Sequence, residues 1–257
     1  MILRVVNHKF HYEMENLCRV FFPHETIRVI KDSEDGTDDI TVITSLKDEY
    51  VVGVSVSING ATGTREASVA DYEDCEREMA ILLFSLLSDI TGYTPKWGIL
   101  TGVRPSKLMN SLINEFGDDG AKAYFTDKLL VCEKKTELAY SVAKAEERIM
   151  SLSDEKSFSL YVSIPFCPTR CNYCSFVSHS IAQAKKLLPD YVENLCKEIR
   201  QTAAVANELG LRLESIYWGG GTPTTLSAEM LERICAEINA DFDLSHIREY
   251  TIEAGRA

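Results

Sequence analysis

The sequence predicts an α/β protein in two parts, an α+β module over residues 1–155 and a parallel β/α segment over residues 156–257. Three observations predict it. The second part reads strand, helix, strand, helix, strand, an order that implies parallel strands joined by crossover helices. Its strand ends carry the unusual residues, with a proline and a cysteine run after the first strand and three glycines after the second. The first part instead gathers its strands before its helices, as α+β arrangements do.

In the first part, residues 3–6, 26–30, 40–44 and 51–58 read as strands, the last alternating Val52, Val54, Val56 and Ile58. The acidic stretch between Lys31 and Asp39 reads as a solvated hairpin loop. Residues 71–90, 105–116, 119–130 and 133–152 read as helices. Thr101-Gly-Val-Arg-Pro105 is punctuated as a turn that starts a helix at Pro105. Arg104 is either part of that turn or a contact to substrate or to the second part. The polar stretch 151–157 marks the boundary.

In the second part, Phe158, Leu160, Val162 and Ile164 alternate with Ser159, Tyr161 and Ser163, a strand with two different faces. Pro165 ends it. Val192, Leu195, Ile199, Ala203 and Ala206 then follow the helical period, and Gly210 stands where a glycine stops a helix. Residues 214–218 form the next strand, followed at once by Gly219-Gly220-Gly221-Thr222-Pro223-Thr224. A helix capped by Ser227 carries Leu231, Ile234 and Ile238, and residues 250–253 form a third strand. One sheet face then bears Ser159, Tyr161, Ser163, Ser215, Tyr217, Thr251 and Glu253, and the other is apolar. The apolar face packs on helices while the polar face lines a ligand-filled interior, with Glu253 an inward carboxylate near the top of its strand. A buried carboxylate needs a partner, and Arg248 or Arg256 is one candidate.

The chemistry is concentrated between Ser163 and Phe176, where Cys167, Cys171 and Cys174 form a C-x3-C-x2-C run. Three thiolates on one loop can each hold one iron of a [4Fe–4S] cube, and nothing adjacent supplies the fourth. Electron-transfer clusters are normally closed by four cysteines. An iron with an open position can bind and activate a second molecule, by the logic of open catalytic metal sites. Two other readings stand beside this one. His179 could complete a Cys3His zinc site, although its x3 gap suits zinc knuckles poorly, or the thiols could be structural, although those are usually scattered through a core. Gly219 to Gly221 permit close backbone approach to a ligand, or serve a tight turn.

The cysteine run resembles that of the radical S-adenosylmethionine (SAM) enzymes. Tyr161-Val-Ser-Ile-Pro-Phe-Cys167-x3-Cys171-x-Tyr173-Cys174-x-Phe176, Tyr217-Trp-Gly-Gly-Gly-Thr-Pro-Thr224 and Glu253-Ala-Gly together resemble the oxygen-independent coproporphyrinogen III oxidase (dehydrogenase) family. Ser163, the Pro-Thr-Arg filling and the long N-terminal extension resemble its HemZ-like branch. The resemblance covers residues 158–257; before that it rests on the length of the extension and on Trp97-Gly-Ile-Leu-Thr-Gly-Val-Arg-Pro105. It implies that the second part is the first half of a radical SAM partial (β/α)6 barrel. Three strands are fewer than about six, so the chain reads as a fragment or as completed by partner segments.

The resemblance further implies a [4Fe–4S] cluster on Cys167, Cys171 and Cys174, with SAM at the open iron. Tyr161, Gly220 and Glu253 would contact that SAM, its ribose hydroxyls being the other candidate partner for Glu253. Tyr173, Gly221 and Thr222 match contacts to a second SAM in one branch. Here Ser163 replaces a histidine, Tyr173 a phenylalanine, and Ser175-Phe176 a Gly-Cys pair, which weakens the case for a second SAM and moves the chain towards members proposed to carry haem.

The implied activity is oxidative decarboxylation of two propionates of coproporphyrinogen III to vinyl groups, giving protoporphyrinogen IX through a 5′-deoxyadenosyl radical. The implied partners are a small-molecule tetrapyrrole and an electron donor for the cluster. A haem chaperone, or a radical SAM enzyme with another substrate, are the alternatives. Arg170 and Arg256 could bind substrate carboxylates or be solvated surface charges.

Composition agrees with that class. A net charge of −12 argues against nucleic-acid binding. Five of the eight cysteines, Cys18, Cys75, Cys132, Cys196 and Cys235, are scattered without a disulfide framework, which fits a reducing cytoplasm. The start lacks the pattern of a signal peptide. The longest apolar run, from Met79 to Leu87, is too short for a membrane span and reads as buried helix.

Overall fold

The computed structural model describes residues 1–31, 38–176 and 178–255. The core of the acidic 31–39 stretch and Arg256 therefore lie outside the described residues. The chain divides into two compact units, Met1–Met150 and Ser151–Ala257.

In the first unit, β1 (Ile2–Val6), α1 (His11–Phe21), β2 (Arg28–Lys31), β3 (Ile40–Lys47), β4 (Val51–Ile58) and β5 (Ala61–Ser68) precede α2 (Tyr72–Thr91), α3 (Pro105–Ala123) and α4 (Glu133–Met150). The sheet order is β2-β1-β3-β4-β5. β1 runs parallel to β2 and β3, and β3, β4 and β5 form an antiparallel meander. Leu3, Val5, Val42, Val54 and Val56 pack beneath Met14, Leu17 and Cys18 of α1 and Met79, Leu83 and Leu87 of α2. The α2 helix starts at Asp71, whose carboxylate accepts from the Asp74 amide at 3.2 Å, and stops at Gly92 with φ +68°.

Two elements here lie outside the sequence expectation. α1 carries Met14, Leu17 and Cys18 on one buried face, a short helical stripe. β5 pairs with β4 through Asn59-Gly60, whose φ values of +49° and +89° belong to a two-residue hairpin turn. The two helices expected over 105–116 and 119–130 differ as well. α3 continues to Ala123 across a break at Gly117 and ends in a π-helical turn, Tyr124–Lys128. Pro105 starts α3 as expected, and Arg104 stands exposed at the N-cap position without a side-chain capping hydrogen bond. Just upstream, Gly98 has φ +59°, and a Cβ there would lie 2.0 Å from the Leu129 carbonyl oxygen.

The second unit contains β6 (Ser157–Ile164), β7 (Phe166–Cys167), β8 (His179–Ser180), α5 (Ile181–Ala184), α6 (Leu188–Glu208), β9 (Arg212–Gly220), α7 (Ala228–Asp241) and β10 (Glu249–Ile252). β10, β9 and β6 form a parallel three-stranded sheet with β9 in the middle, the α/β arrangement expected. Its apolar face, with Val162, Ile164, Ile216 and Trp218, packs against Val192, Ile199 and Ala203 of α6 and Ile234 and Ile238 of α7. Gly210 has φ +63° just beyond α6, and the Ser227 hydroxyl accepts from the Met230 amide at 3.3 Å. On edge strand β10, Tyr250 and Ile252 of the apolar face stay partly exposed.

Registers fix the polar face. Ser159 lies beside Ser215, and Tyr161 beside Tyr217, which in turn neighbours Thr251. A bulge puts one extra residue, Glu214, between the pairs Phe158–Leu213 and Ser159–Ser215. β9 is longer than expected and takes Gly219 and Gly220 into the sheet opposite Ser163 and Ile164.

Candidate functional site

The candidate site lies where the three parallel strands of the second unit end. β6 ends at Ile164, Pro165 turns the chain, and Phe166–Cys167 of β7 pairs with His179–Ser180 of β8, so the cysteine loop is closed at its base. Within the loop the Cys174 amide donates to the Cys171 carbonyl at 3.1 Å, a tight turn that carries two of the thiols. Cys167, Cys171 and Cys174 are half-buried. Cys18 and Cys196, by contrast, are buried in the two cores.

The loop after β9 is pressed against that base. The Gly221 amide donates to the Ile164 carbonyl at 2.8 Å and the Thr222 amide to the Phe166 carbonyl at 2.7 Å. A Cβ on Gly221 would lie 2.5 Å from the Phe166 carbonyl oxygen, so only glycine fits. Gly220 has φ +102°, and a Cβ there would stand 3.0 Å from the Ser163 hydroxyl. The glycines thus let two strand ends touch through their backbones. The Thr222 hydroxyl lies 3.6 Å from the Cys167 sulfur.

The third strand end contributes Glu253, just past β10. Its amide donates to the Trp218 carbonyl at 3.0 Å, and its carboxylate accepts from the Tyr217 hydroxyl at 2.5 Å. Glu253 is exposed, so the expected buried carboxylate is instead an accessible one whose partner is Tyr217. Arg248, named as a possible partner, meets Glu214. Tyr161 stacks on Tyr217 with ring centroids 5.9 Å apart and 11° between planes. Tyr161 and Tyr173 are 58% and 86% exposed, so neither is a core residue.

Two residues of this geometry were not singled out as contacts from the sequence. Tyr217 anchors Glu253, and a Gly255 Cβ would come within 2.8 Å of Thr222 Cγ2. Strand alternation placed Tyr217 on the right face, but its partner emerges only from the register of β9 and β10. His179 lines a hollow of about 400 Å³ with Phe166, Leu187 and Tyr191. Arg170 is exposed on the loop.

Residues 161–255 match the radical SAM superfamily. The second unit carries a radical SAM domain. Its donor set fits an iron–sulfur cluster, with three thiols on one loop whose base is packed by the glycine turn after β9. Among the described residues, no three Cys, His, Asp or Glu side chains are gathered tightly around one point as a single-ion cage.

The match to curated relatives extends beyond the radical SAM domain. The oxygen-independent coproporphyrinogen-III oxidase-like protein HemZ of Bacillus subtilis is 29% identical over 265 residues, covering 96% of this chain and 52% of that protein. The heme chaperone HemW of Lactococcus lactis is 36% identical over 100 residues, 39% of this chain and 24% of the chaperone. The oxygen-independent coproporphyrinogen III oxidase of Mannheimia haemolytica is 35% identical over 100 residues, 38% of this chain and 66% of the relative. A solved structure of coproporphyrinogen III oxidase (HemN) from Escherichia coli is 28% identical, with 43% of this chain and 24% of that one covered and a TM-score of 0.31. The chain therefore spans about half the length of the HemZ-like relative. No helix among the described residues is long and apolar enough to cross a membrane.

Proposed function

We propose that this chain is part of a cytoplasmic radical SAM oxidoreductase that oxidatively decarboxylates coproporphyrinogen III. The observation that carries the reading is the convergence of the Cys167–Cys174 loop, the Gly220–Thr222 edge and Glu253 at the ends of three parallel strands. Cys167, Cys171 and Cys174 would hold three irons. A [4Fe–4S] cluster with an open iron supplies one electron for SAM cleavage. Gly220 and Gly221 would border the SAM main chain, their close packing on Ile164 and Phe166 holding the end of β9 beside the cysteine loop. Glu253 would accept from the ribose hydroxyls, the stacked Tyr161 and Tyr217 would wall the adenosyl group, and Tyr173 would cover the loop from solvent.

The tetrapyrrole substrate is favoured by the HemZ-like relative, whose similarity runs through both units. A second reading, haem carriage, is favoured by the 36% identity of the cysteine-bearing segment to a haem chaperone. Anaerobic reconstitution followed by SAM and coproporphyrinogen III separates the two. A vinyl-bearing product with consumption of SAM is expected. A chain that retains a haem absorption band and forms no product overturns the enzymatic reading in favour of carriage.

A further inference from the structure

The hydroxyl of Thr222 donates towards the sulfur of Cys167 at 3.6 Å, and the backbone of Thr222 is pinned on both sides. Its amide donates to the Phe166 carbonyl at 2.7 Å. Its carbonyl accepts from the Thr225 amide at 3.0 Å and from the Thr225 hydroxyl at 2.7 Å. On the remaining side stands Gly255, where a Cβ would come within 2.8 Å of Thr222 Cγ2 and 3.1 Å of its hydroxyl oxygen. The ends of β6, β9 and β10 thus converge on one threonine, and its hydroxyl is aimed at a thiol.

Resting on the reading of Cys167 as a cluster ligand, we propose that Thr222 is a positioning residue that sets the reduction potential of the cluster through the Cys167 sulfur, and that Gly255 keeps its hydroxyl in place. Hydrogen bonds to ligand sulfurs are among the determinants of cluster potential, and partners outside the ligand set orient and tune the ligands themselves. The sign follows from charge. Reduction adds an electron that is partly borne by the sulfurs, so a donor at Cys167 stabilises the reduced state more than the oxidised one and raises the potential. A hydroxyl has one proton to give. Given to Cys167, it leaves Thr222 only lone pairs to offer a ligand, a different role from the SAM contact that family resemblance attaches to this position.

The test is a redox titration of the anaerobically reconstituted chain without SAM, followed by electron paramagnetic resonance. Thr222→Val keeps the shape and removes the donor. It is expected to retain its iron while its reduction equilibrium constant falls by up to about tenfold, equivalent to about 59 mV more negative for one electron. Thr222→Ser should stay near the parent value, and Gly255→Ala, which crowds the hydroxyl away, should shift in the same direction as the valine variant. A fully loaded Thr222→Val chain with the parent potential overturns the proposal. Should that variant take up no iron, Gly255→Ala decides, an unchanged potential overturning the proposal and a negative shift supporting it. A parent that assembles no cluster is a different result and removes the cluster reading together with this one.

Discussion

The Tyr217 hydroxyl donates a 2.5 Å hydrogen bond to Oε1 of Glu253, tying the middle strand to the residue just past β10. Tyr217 is itself held by its stack on Tyr161. One oxygen of the carboxylate is thereby committed to the protein and its orientation fixed, which leaves the other for a ligand. The bond also acts on the phenol. Tyr217 is pushed above the usual tyrosine range, first by its hydrogen bond to Glu253 and then by lost solvation.

Tyr217→Phe should keep the fold and weaken SAM binding about two- to tenfold, the scale of one neutral hydrogen bond. Glu253→Gln should cost more, roughly ten- to a hundredfold, because a charge-assisted acceptor is lost. Calorimetric titration of SAM into reconstituted protein reads both, and parent-like affinity in the two variants would remove Glu253 from the site. Alkaline titration gives an independent check. A raised folded pKa contributes stability below the unfolded value and loses it as pH rises through the folded one. Glu253→Gln should therefore bring Tyr217 ionisation back towards the ordinary range, visible as tyrosinate absorbance at lower pH.

The sheet of the second unit was legible because its strands alternate strictly. Leu160, Val162 and Ile164, and again Ile216 and Trp218, give the period of a two-faced strand, and these residues do form its buried face. β5 was not legible by that rule. Its alternate residues are Thr62, Thr64 and Glu66 against Gly63, Arg65 and Ala67, with no apolar face to detect, so the turn residues Asn59-Gly60 were the available signal. The bulge at Glu214 was hidden for a related reason, since an extra residue inside a strand leaves both flanking patterns intact. Within the site, the cysteines and glycines are read from their own spacing. The pairs Tyr217–Glu253, Thr222–Cys167 and Thr222–Gly255 join different strand ends, and only the tertiary register brings them together.

The thiols divide into two chemical populations. Burial pushes the Cys18 thiol up to about 12, with the nearby Glu15 adding to the effect, and Cys75 and Cys196 are raised chiefly by burial as well. Since the thiolate is the nucleophile, iodoacetamide at pH 8 should spare these three and modify Cys167, Cys171 and Cys174 in protein free of iron. Reconstitution should then protect all three loop cysteines together while Cys132 stays reactive. Substituting any one of the three by Ala should abolish that joint protection, whereas Cys196→Ala should keep it. Peptide mass spectrometry reads the outcome, and loop cysteines labelled equally before and after reconstitution would refute the ligand assignment.

Neighbouring glycines should differ in cost. A methyl group at Gly221 meets the Phe166 backbone at 2.5–2.9 Å, and backbone cannot turn aside. At Gly219 the nearest atoms are the Tyr161 hydroxyl at 2.8 Å and a Tyr217 ring carbon at 2.9 Å, both on side chains that can shift. Gly221→Ala is accordingly expected to destabilise the second unit by about 1–3 kcal/mol, with less iron retained, and Gly219→Ala by clearly less. Urea denaturation with iron analysis compares them, and an equal cost would mean that the edge between Gly221 and Phe166 is looser than its geometry.

At the opposite end of the same strands, bulged Glu214 is buried and accepts hydrogen bonds from four residues. Arg212 reaches it at 2.9 Å, Ser153 at 2.7 Å and Ser157 at 2.8 Å, and Arg248 closes on its other side. Removing one partner of a fully buried ion pair costs about 3–5 kcal/mol. Both arginines here are about a third exposed and can rehydrate, so Glu214→Gln should cost less, about 1–3 kcal/mol. Asp154 extends the network to solvent through Arg212 at 3.0 Å. Its carboxyl is held below the usual range, first by the Lys156 amide and then by Arg212. A lowered folded pKa gives stability that is present above the unfolded value, near 3.9, and lost as pH falls through the folded one. Asp154→Asn should therefore cost stability at pH 7 and little at pH 2, while the Glu214→Gln deficit at pH 7 should be the larger of the two. Urea denaturation at both pH values tests this. A Glu214→Gln chain as stable as the parent would show that the two arginines need no counter-charge, and that the bulge is held by backbone pairing alone.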